Sequence, residues 1–234
     1  MTQGIHDGHR QRVKNRFIKS GIDDFEPHNV LELMLFYAIP KRDTNELAHN
    51  LIETFGSFDK VLEADYLQLA AVKGMGEHSA TLLKLFIESY GYYERQKYKD
   101  GFIATSSAAV ISYAQSLFVG ETRELGYLLC FDAKLQLINC VKISEGSVNA
   151  ASVSVRRVVE TATANKAISV ILTHNHPNGL PVPSTEDVAT TKKIMSALST
   201  VDIDFSDHII VGAKSAISLA DEGIIYSIKQ EKRR

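Results

Sequence analysis

The sequence predicts a helical bundle followed by a domain of the α/β (α+β) class. Apolar residues recur at helical spacing over 1–97, whereas β-prone apolar runs alternate with helical segments over 103–226. A polar, charged stretch at 96–103, QKYKDGFI, separates the two parts and is typical of a linker. A chain of 234 residues is long enough for two small domains. We therefore expect one domain over 1–97 and another over 103–226.

The first part is predicted to form roughly four or five short helices joined by tight turns. Helical spacing is clear over 30–39 and over 44–55, where Thr44 and Asn45 are candidate caps. Such short amphipathic segments predict a small bundle. Three further helical patterns follow at 55–64, 64–76 and 78–96.

The second part is predicted to open with a β-hairpin. Two apolar, β-prone runs at 125–132 and 135–143 are separated by a short polar turn, which is a hairpin signal. Helices and strands follow in a mixed order, as in α/β and α+β domains. The segments predicted as helix, strand, helix, strand and strand are 152–167, 168–177, 184–200, 203–212 and 216–220.

Composition and charge exclude several classes of protein. The hydrophobic fraction of 44% and the charged fraction of 23% exclude a disordered or low-complexity chain. No apolar run approaches the roughly 18–20 residues that span a bilayer, and the first residues lack the apolar core of a signal peptide. We therefore expect a cytoplasmic protein with no membrane partner.

A net charge of −2 means that any DNA contact would have to be local. Cys130 and Cys140 lie in apolar runs and are interpreted as buried thiols.

The most informative segment lies at the end of a predicted strand. His174 and His176, two residues apart, share one face of that strand, and Pro177 ends it. Ser184 then opens a helix that carries Asp187 in its first turn. Two imidazoles and a carboxylate leave a fourth tetrahedral position open to water, as in catalytic zinc sites. Each of the two patterns also has a simpler interpretation. Ser-x-x-Asp is also a helix cap, and isolated His-x-His pairs are usually not metal sites.

The combined pattern of His-x-His-Pro, six residues and Ser-x-x-Asp resembles the metal-binding motif of the JAB/MPN metalloproteases. It is most similar to the RadC branch, in which the middle residue is Asn, as at Asn175. The segments at 144–150 and 207–212 are also similar to that branch, and the resemblance covers about residues 103–226. It implies a JAB/MPN, cytidine-deaminase-like α/β domain with a Zn2+ cofactor. Deubiquitinating members carry Ser or Thr at the position of Asn175, which argues against a ubiquitin-like substrate. The metal ligands that the resemblance implies are His174, His176 and Asp187.

The resemblance also implies a glutamate on an earlier strand as the general base. Glu124 precedes an apolar strand and fits that context, while Glu145 is the alternative. Ser184 is expected to donate a hydrogen bond from its Oγ to the developing oxyanion. His208, beside Asp207, is expected to bond to its neighbours and to lie outside the site.

These assignments imply a zinc-dependent metallopeptidase or amide hydrolase. Bound zinc lowers the pKa of water, Glu124 would accept the proton, and the leaving amine would receive it. The expected substrate is a peptide or another amide that the sequence does not identify.

A glycine hairpin in the first part resembles the helix-hairpin-helix DNA-binding motif. Gly74 and Gly76 lie between two predicted helices, where backbone N–H groups at the start of a helix suit a phosphate. In that interpretation Lys73 and Lys84 would add phosphate contacts. A plain structural turn, or a protein-contact module, would give the same pattern.

The charges near the hairpin do not favour DNA. Glu77 follows the hairpin where a basic residue would help, and residues 1–100 carry 13 basic and 15 acidic side chains. The alternative function is nevertheless a DNA- or protein-binding accessory factor of repair or recombination with a structural zinc site. The RadC family carries a DNA-repair label that is compatible with this alternative.

Overall fold

A computed structural model describes residues 5–98, 101–146, 153–177 and 179–231. The chain divides into two compact units, Met1–Tyr90 and Gly91–Arg234. The division falls inside a long helix, a few residues before the stretch predicted as a linker. None of the described helices is long and apolar enough to cross a membrane.

The first unit is helical, and the predicted helical patterns there correspond to helices. Its core contains the fully buried Leu31, Leu51, Leu69 and Leu83. Thr44 occupies the predicted cap position, but its side chain makes no capping hydrogen bond. The helices are α1 Ile5–Ser20, α2 Pro27–Leu35, α3 Asn45–Phe55, α4 Phe58–Glu63, α5 Tyr66–Ala71 and α6 Glu77–Gln96, the last of which extends into the second unit.

The second unit combines helices with a five-stranded mixed sheet, which confirms the predicted fold class. The predicted hairpin forms, and its turn is stabilised by Asp132, whose Oδ1 accepts from the N–H groups of Lys134 and Gln136. The elements are α7 Ser107–Leu117, β1 Glu124–Phe131, β2 Leu137–Gly146, α8 Val155–Ala164, β3 Ser169–His176, α9 Thr185–Ser199, β4 Asp204–Gly212, β5 Ala216–Ser218 and α10 Ile224–Glu231.

The sheet order β2-β1-β3-β4-β5 places β3 in the centre. The strands β3 and β4 are parallel, and the other neighbouring pairs are antiparallel. A parallel pair needs a crossover, which α9 supplies. Because β3 is covered on both faces, all of its residues except the last, His176, are buried.

Each face of the sheet packs against helices. On one face Leu128, Leu172 and Ile210 pack with Val158 of α8 and Ile194 of α9. On the other face, residues of β1, β3 and β4 pack with α7. Cys130 is fully buried in the first cluster, whereas Cys140 is partly buried, and neither forms a disulfide. The side chains of the second cluster include Tyr113, Leu117, Leu129, Phe131, Ile171 and Ile209.

Candidate metal centre

The histidine pair lies where the central strand ends. His174 pairs with Gly126 of β1 and Ile210 of β4, and His176 pairs with Gly212. Both histidines project from the face of the sheet that carries Leu172, because alternate residues of a strand share a face. The helix α9 covers that face, so the start of the helix meets the end of the strand.

The three side chains predicted as metal ligands lie together. The Nε2 atoms of His174 and His176 are 3.0 Å apart. Asp187 Oδ1 lies 3.3 Å from His174 Nε2, and Asp187 Oδ2 lies 3.8 Å from His176 Nε2. His174 and Asp187 are buried, while His176 is partly open to solvent. Buried charges are held where they are paired or coordinate a metal, so this grouping suits a cation.

Glu124, the first residue of β1, lies close to the two histidines of β3. One ligand atom from each of Glu124, His174 and His176 lies within 4.8 Å of the other two. Partial burial raises the pKa of Glu124; the neighbouring His176 lowers it and the carboxylate of Asp187 raises it. A carboxyl group with a raised pKa beside candidate ligands is typical of acid–base chemistry.

Glu145, the alternative to Glu124, lies elsewhere. It pairs with Leu125 across the hairpin, so its side chain is on the opposite face of the sheet from Glu124. Its carboxylate forms ion pairs with Lys142 and, at 2.5 Å, with Arg123. The hydrogen bond and charge of Lys142, followed by Arg123, lower the pKa of Glu145. It is therefore an exposed, ion-paired surface group.

Asn175 holds the backbone on both sides of Glu124. Its Oδ1 accepts a hydrogen bond from the N–H of Leu125 at 2.7 Å, and its Nδ2 donates to the carbonyl of Arg123 at 3.0 Å. The side chain is 3% exposed. Asn175 thus fixes the start of β1 beside β3, a role for which the sequence offered no signal beyond the family pattern.

Ser184 occupies the cap of α9. Its Oγ donates to Asp187 Oδ2 at 2.7 Å and accepts from the N–H of Asp187 at 3.1 Å, and its own N–H donates to Oδ2 at 2.8 Å. This is a reciprocal capping box. The hydroxyl proton is directed to Asp187, so Ser184 would have to rotate before it could donate to a substrate. Its role as an oxyanion donor stays a prediction.

His208 contacts the candidate centre, contrary to the expectation that it lies outside it. Its Nε2 is 2.8 Å from His174 Nδ1, and its Nδ1 is 2.7 Å from Thr191 Oγ1. Burial lowers the pKa of His174 and of His208, which favours the neutral form of both rings. The contact depends on the pairing of β3 with β4, in which Leu172 lies beside His208, and periodicity alone does not predict that pairing.

The residues predicted to contact DNA belong to the first unit. Gly74 and Gly76 lie between α5 and α6, and Gly74 has a φ of 96°, which favours glycine. Lys73 is exposed beside them. Lys84 is placed differently from the expectation, because its ammonium donates to the carbonyls of Leu62 and Ala64 at 3.1 and 3.3 Å. Lys84 therefore stabilises the end of α4 instead of extending towards a phosphate.

The second unit brings His, Asp and Glu side chains together at the end of its central strand. Residues 104–224 match the family described as "RadC-like JAB domain". The chain is 34% identical over 225 residues to a UPF0758 protein of Ruegeria pomeroyi, covering 96% of this chain and all of the relative. It is 30% identical over 232 residues to one of Fusobacterium nucleatum, with 96% of this chain and 100% of that protein covered. The chain belongs to the RadC-like JAB domain family.

Proposed function

We propose that the protein is a zinc-dependent amide hydrolase of the metallopeptidase type. The observation that carries the proposal is the convergence of His174, His176, Asp187 and Glu124 at the end of β3. Membership of the JAB family, which is generally hydrolytic, supports the same reaction class. The substrate is proposed to be a peptide or a smaller amide.

The donor set fits a zinc ion. Tetrahedral zinc with bonds of roughly 2.0–2.1 Å places its ligand atoms about 3.3 Å apart. The separations of 3.0, 3.3 and 3.8 Å among His174 Nε2, His176 Nε2 and the Asp187 oxygens bracket that value. The Nδ1 of His176 lies 3.1 Å from the carbonyl of Leu180, which can only accept, so Nδ1 donates and Nε2 is left with a lone pair.

The residues divide the work of hydrolysis. His174, His176 and Asp187 would hold the ion. Bound zinc supplies a Lewis acid and lowers the pKa of water. A carboxylate oxygen of Glu124 takes the proton of the attacking water and passes it to the leaving nitrogen. Asn175 keeps that carboxylate in place through the backbone on both sides of it.

Glu124→Gln tests the proposal, with Glu145→Gln as a matched control. Zinc content by elemental analysis and hydrolysis of a fluorescence-quenched peptide library are measured for wild type, both glutamine variants and His176→Ala. We expect about one zinc per chain in wild type and both glutamine variants, and loss of zinc in His176→Ala. Hydrolysis should be lost with the zinc in His176→Ala, and of the two glutamine variants only Glu124→Gln should lose it, by at least about 100-fold.

Two results would contradict the proposal. If wild-type protein took up no zinc, even when zinc is supplied, a metal centre at this site would be ruled out. Hydrolysis that survives in Glu124→Gln and disappears in Glu145→Gln would exchange the roles of the two glutamates. Because Glu145 is exposed and ion-paired, its replacement by glutamine should leave zinc content and melting temperature unchanged.

A second proposal concerns the first unit, which is proposed to bind DNA through the hairpin between α5 and α6. It is supported by the turn at Gly74 between two helices and by the exposed Lys73. The test is fluorescence anisotropy of a duplex oligonucleotide titrated with the full chain at several salt concentrations. Binding that weakens with salt, and whose salt slope falls by about one in Lys73→Ala, would support a phosphate contact. Binding that is absent at low salt would leave a protein partner as the alternative.

A further inference from the structure

A chain of buried hydrogen bonds leads away from the candidate metal centre. His174 Nδ1 lies 2.8 Å from His208 Nε2, and His208 Nδ1 lies 2.7 Å from Thr191 Oγ1. Thr191 Oγ1 in turn donates to the main-chain carbonyl of Asp187 at 2.7 Å. His208 is 1% exposed and Thr191 is fully buried, so water does not compete for these contacts. This series of hydrogen bonds therefore starts at one candidate ligand, His174, and ends on the backbone of another, Asp187.

The last acceptor determines the direction of every hydrogen bond in the chain. A carbonyl oxygen cannot donate, so the hydroxyl hydrogen of Thr191 points to Asp187, and Thr191 Oγ1 accepts from His208 Nδ1–H. A neutral imidazole carries one N–H, so His208 Nε2 has a lone pair and accepts from His174 Nδ1–H. The remaining nitrogen of His174, Nε2, is left without a proton.

This direction matters because His174 Nε2 is the atom that faces the other candidate ligands. It lies 3.0 Å from His176 Nε2, which also has a lone pair because the carbonyl of Leu180 accepts from His176 Nδ1. Two nitrogen lone pairs at this distance repel each other unless a cation lies between them. In these tautomers, the Nε2 atoms of both His174 and His176 have a lone pair that can bind a metal ion.

We infer that Thr191 and His208 are positioning residues of the metal centre, which hold His174 in the tautomer that presents Nε2 to the cation. The inference rests on the proposed zinc site and deepens it. Thr191 lies one helical turn after Asp187 on the inward side of α9, so the same contact also ties the helix to the strand residues. Outer partners of this kind orient metal-bound imidazoles, and their loss typically weakens metal binding by about 10–100-fold.

Thr191→Val is the decisive variant, because valine keeps the shape of threonine and removes the hydroxyl. His208 Nδ1–H then has no acceptor, so His208 can place its proton on Nε2 and donate to His174 Nδ1. His174 must then carry its proton on Nε2, and that atom can no longer bind the metal ion. Thr191→Ser restores a hydroxyl and should rescue binding.

Thr173, on β3, provides a matched control. Thr173 is also fully buried, and its Oγ1 has no hydrogen-bond partner among the described residues. It is adjacent to His174 in the chain but projects from the other face of the strand. Thr173→Val therefore removes a buried hydroxyl next to the site without touching the hydrogen-bond chain.

Two measurements are made on the full chain. The first is the zinc dissociation constant, by competition with a chromogenic chelator, for wild type and the three threonine variants. We expect it to rise about 10–100-fold in Thr191→Val and to stay within about threefold of wild type in Thr191→Ser and Thr173→Val. The second is nitrogen-15 NMR of the imidazoles in the zinc-free wild-type protein, which should show His174 and His208 protonated at Nδ1.

The outcomes separate this inference from the proposed function. Wild type that binds no zinc overturns both. Wild type that binds zinc, with an unchanged dissociation constant in a folded Thr191→Val protein, overturns the inference alone. If Thr191→Val does not fold, the NMR spectrum of wild type decides: His174 protonated at Nε2 refutes the inference, and Nδ1 protonation of both rings supports it.

Discussion

Replacing Asn175 with alanine tests how the start of β1 is held at the metal centre. The variant leaves the N–H of Leu125, itself 2% exposed, without the acceptor that lies 2.7 Å away in the wild type. A buried group left unsatisfied costs about 1–3 kcal/mol. The second bond, to the carbonyl of Arg123 at 3.0 Å, is partly buried and contributes about 0.5–1.5 kcal/mol. We expect a total loss of about 3 kcal/mol in the free energy of unfolding.

The expected loss is large enough to measure by calorimetry. At roughly 2–4 °C per kcal/mol for a protein of this size, Asn175→Ala should melt roughly 6–12 °C below wild type. Hydrogen exchange adds a local measurement, because the amide of Leu125 should lose its protection. Asn139→Ala is the matched control: Asn139 lies on β2, is exposed and bonds the side chain of Asn165 at 2.9 Å. Its replacement should change stability by less than about 0.5 kcal/mol.

The zinc affinity of Asn175→Ala distinguishes a positioning role from a ligand role. Asn175 supplies no candidate ligand atom, so the dissociation constant for zinc should stay within a few-fold of wild type, while any hydrolysis that depends on Glu124 falls. A melting temperature within about 2 °C of wild type, with the Leu125 amide still protected, would refute the reasoning.

Three further predictions concern other parts of the chain. A Cβ on Gly212 would lie 2.7 Å from the loop that carries Leu180, so Gly212→Ala should displace the Leu180 carbonyl and weaken zinc binding by about 10-fold in a chelator competition. Burial raises the pKa of Cys130 and of Cys140 to about 11. Disulfide-exchange reagents should therefore label native protein at least about 10-fold more slowly than a free cysteine, because the lower thiolate fraction is only partly offset by the higher nucleophilicity of the thiolate. Leu51→Ala opens a cavity in the first unit and should cost about 2–5 kcal/mol by denaturant unfolding without changing zinc affinity.

Each of these predictions has a result that contradicts it. Unchanged zinc affinity in Gly212→Ala would mean that the loop moves without losing its contact to His176. Rapid labelling of native protein at pH 7.5 would mean that the thiols are more accessible than their burial indicates. A Leu51→Ala protein as stable as wild type would mean that the first unit fills the cavity by repacking.

Local signals in the sequence predict most of the secondary structure of the second unit. The strand predicted over 168–177 is Ser169–His176, and the helix predicted over 184–200 is Thr185–Ser199. Proline and the Ser-x-x-Asp cap are signals within a few residues, so they locate the ends of these elements without knowledge of the fold. The grouping of His174, His176 and Asp187 follows from the same short segment.

The roles of the other site residues depend on partners far away in the chain. Asn175 bonds backbone groups at positions 123 and 125, and His208 bonds His174, 34 residues earlier. Hydrophobic periodicity reports which face of a strand is buried, but not which strand lies beside it. His208 was therefore expected to lie outside the site.

By itself, the sequence determined most of the helices and strands, because each is a local pattern, although α7 and α10 were not predicted. It also predicted two domains and the residues that could bind a metal. Only the tertiary structure decided that Glu124, not Glu145, faces the histidines, since that follows from the register of the β1–β2 hairpin. It also decided that His174, His208 and Thr191 lie in one run of buried hydrogen bonds. Strand order and register bring these groups within hydrogen-bond distance, and both are properties of the packed sheet.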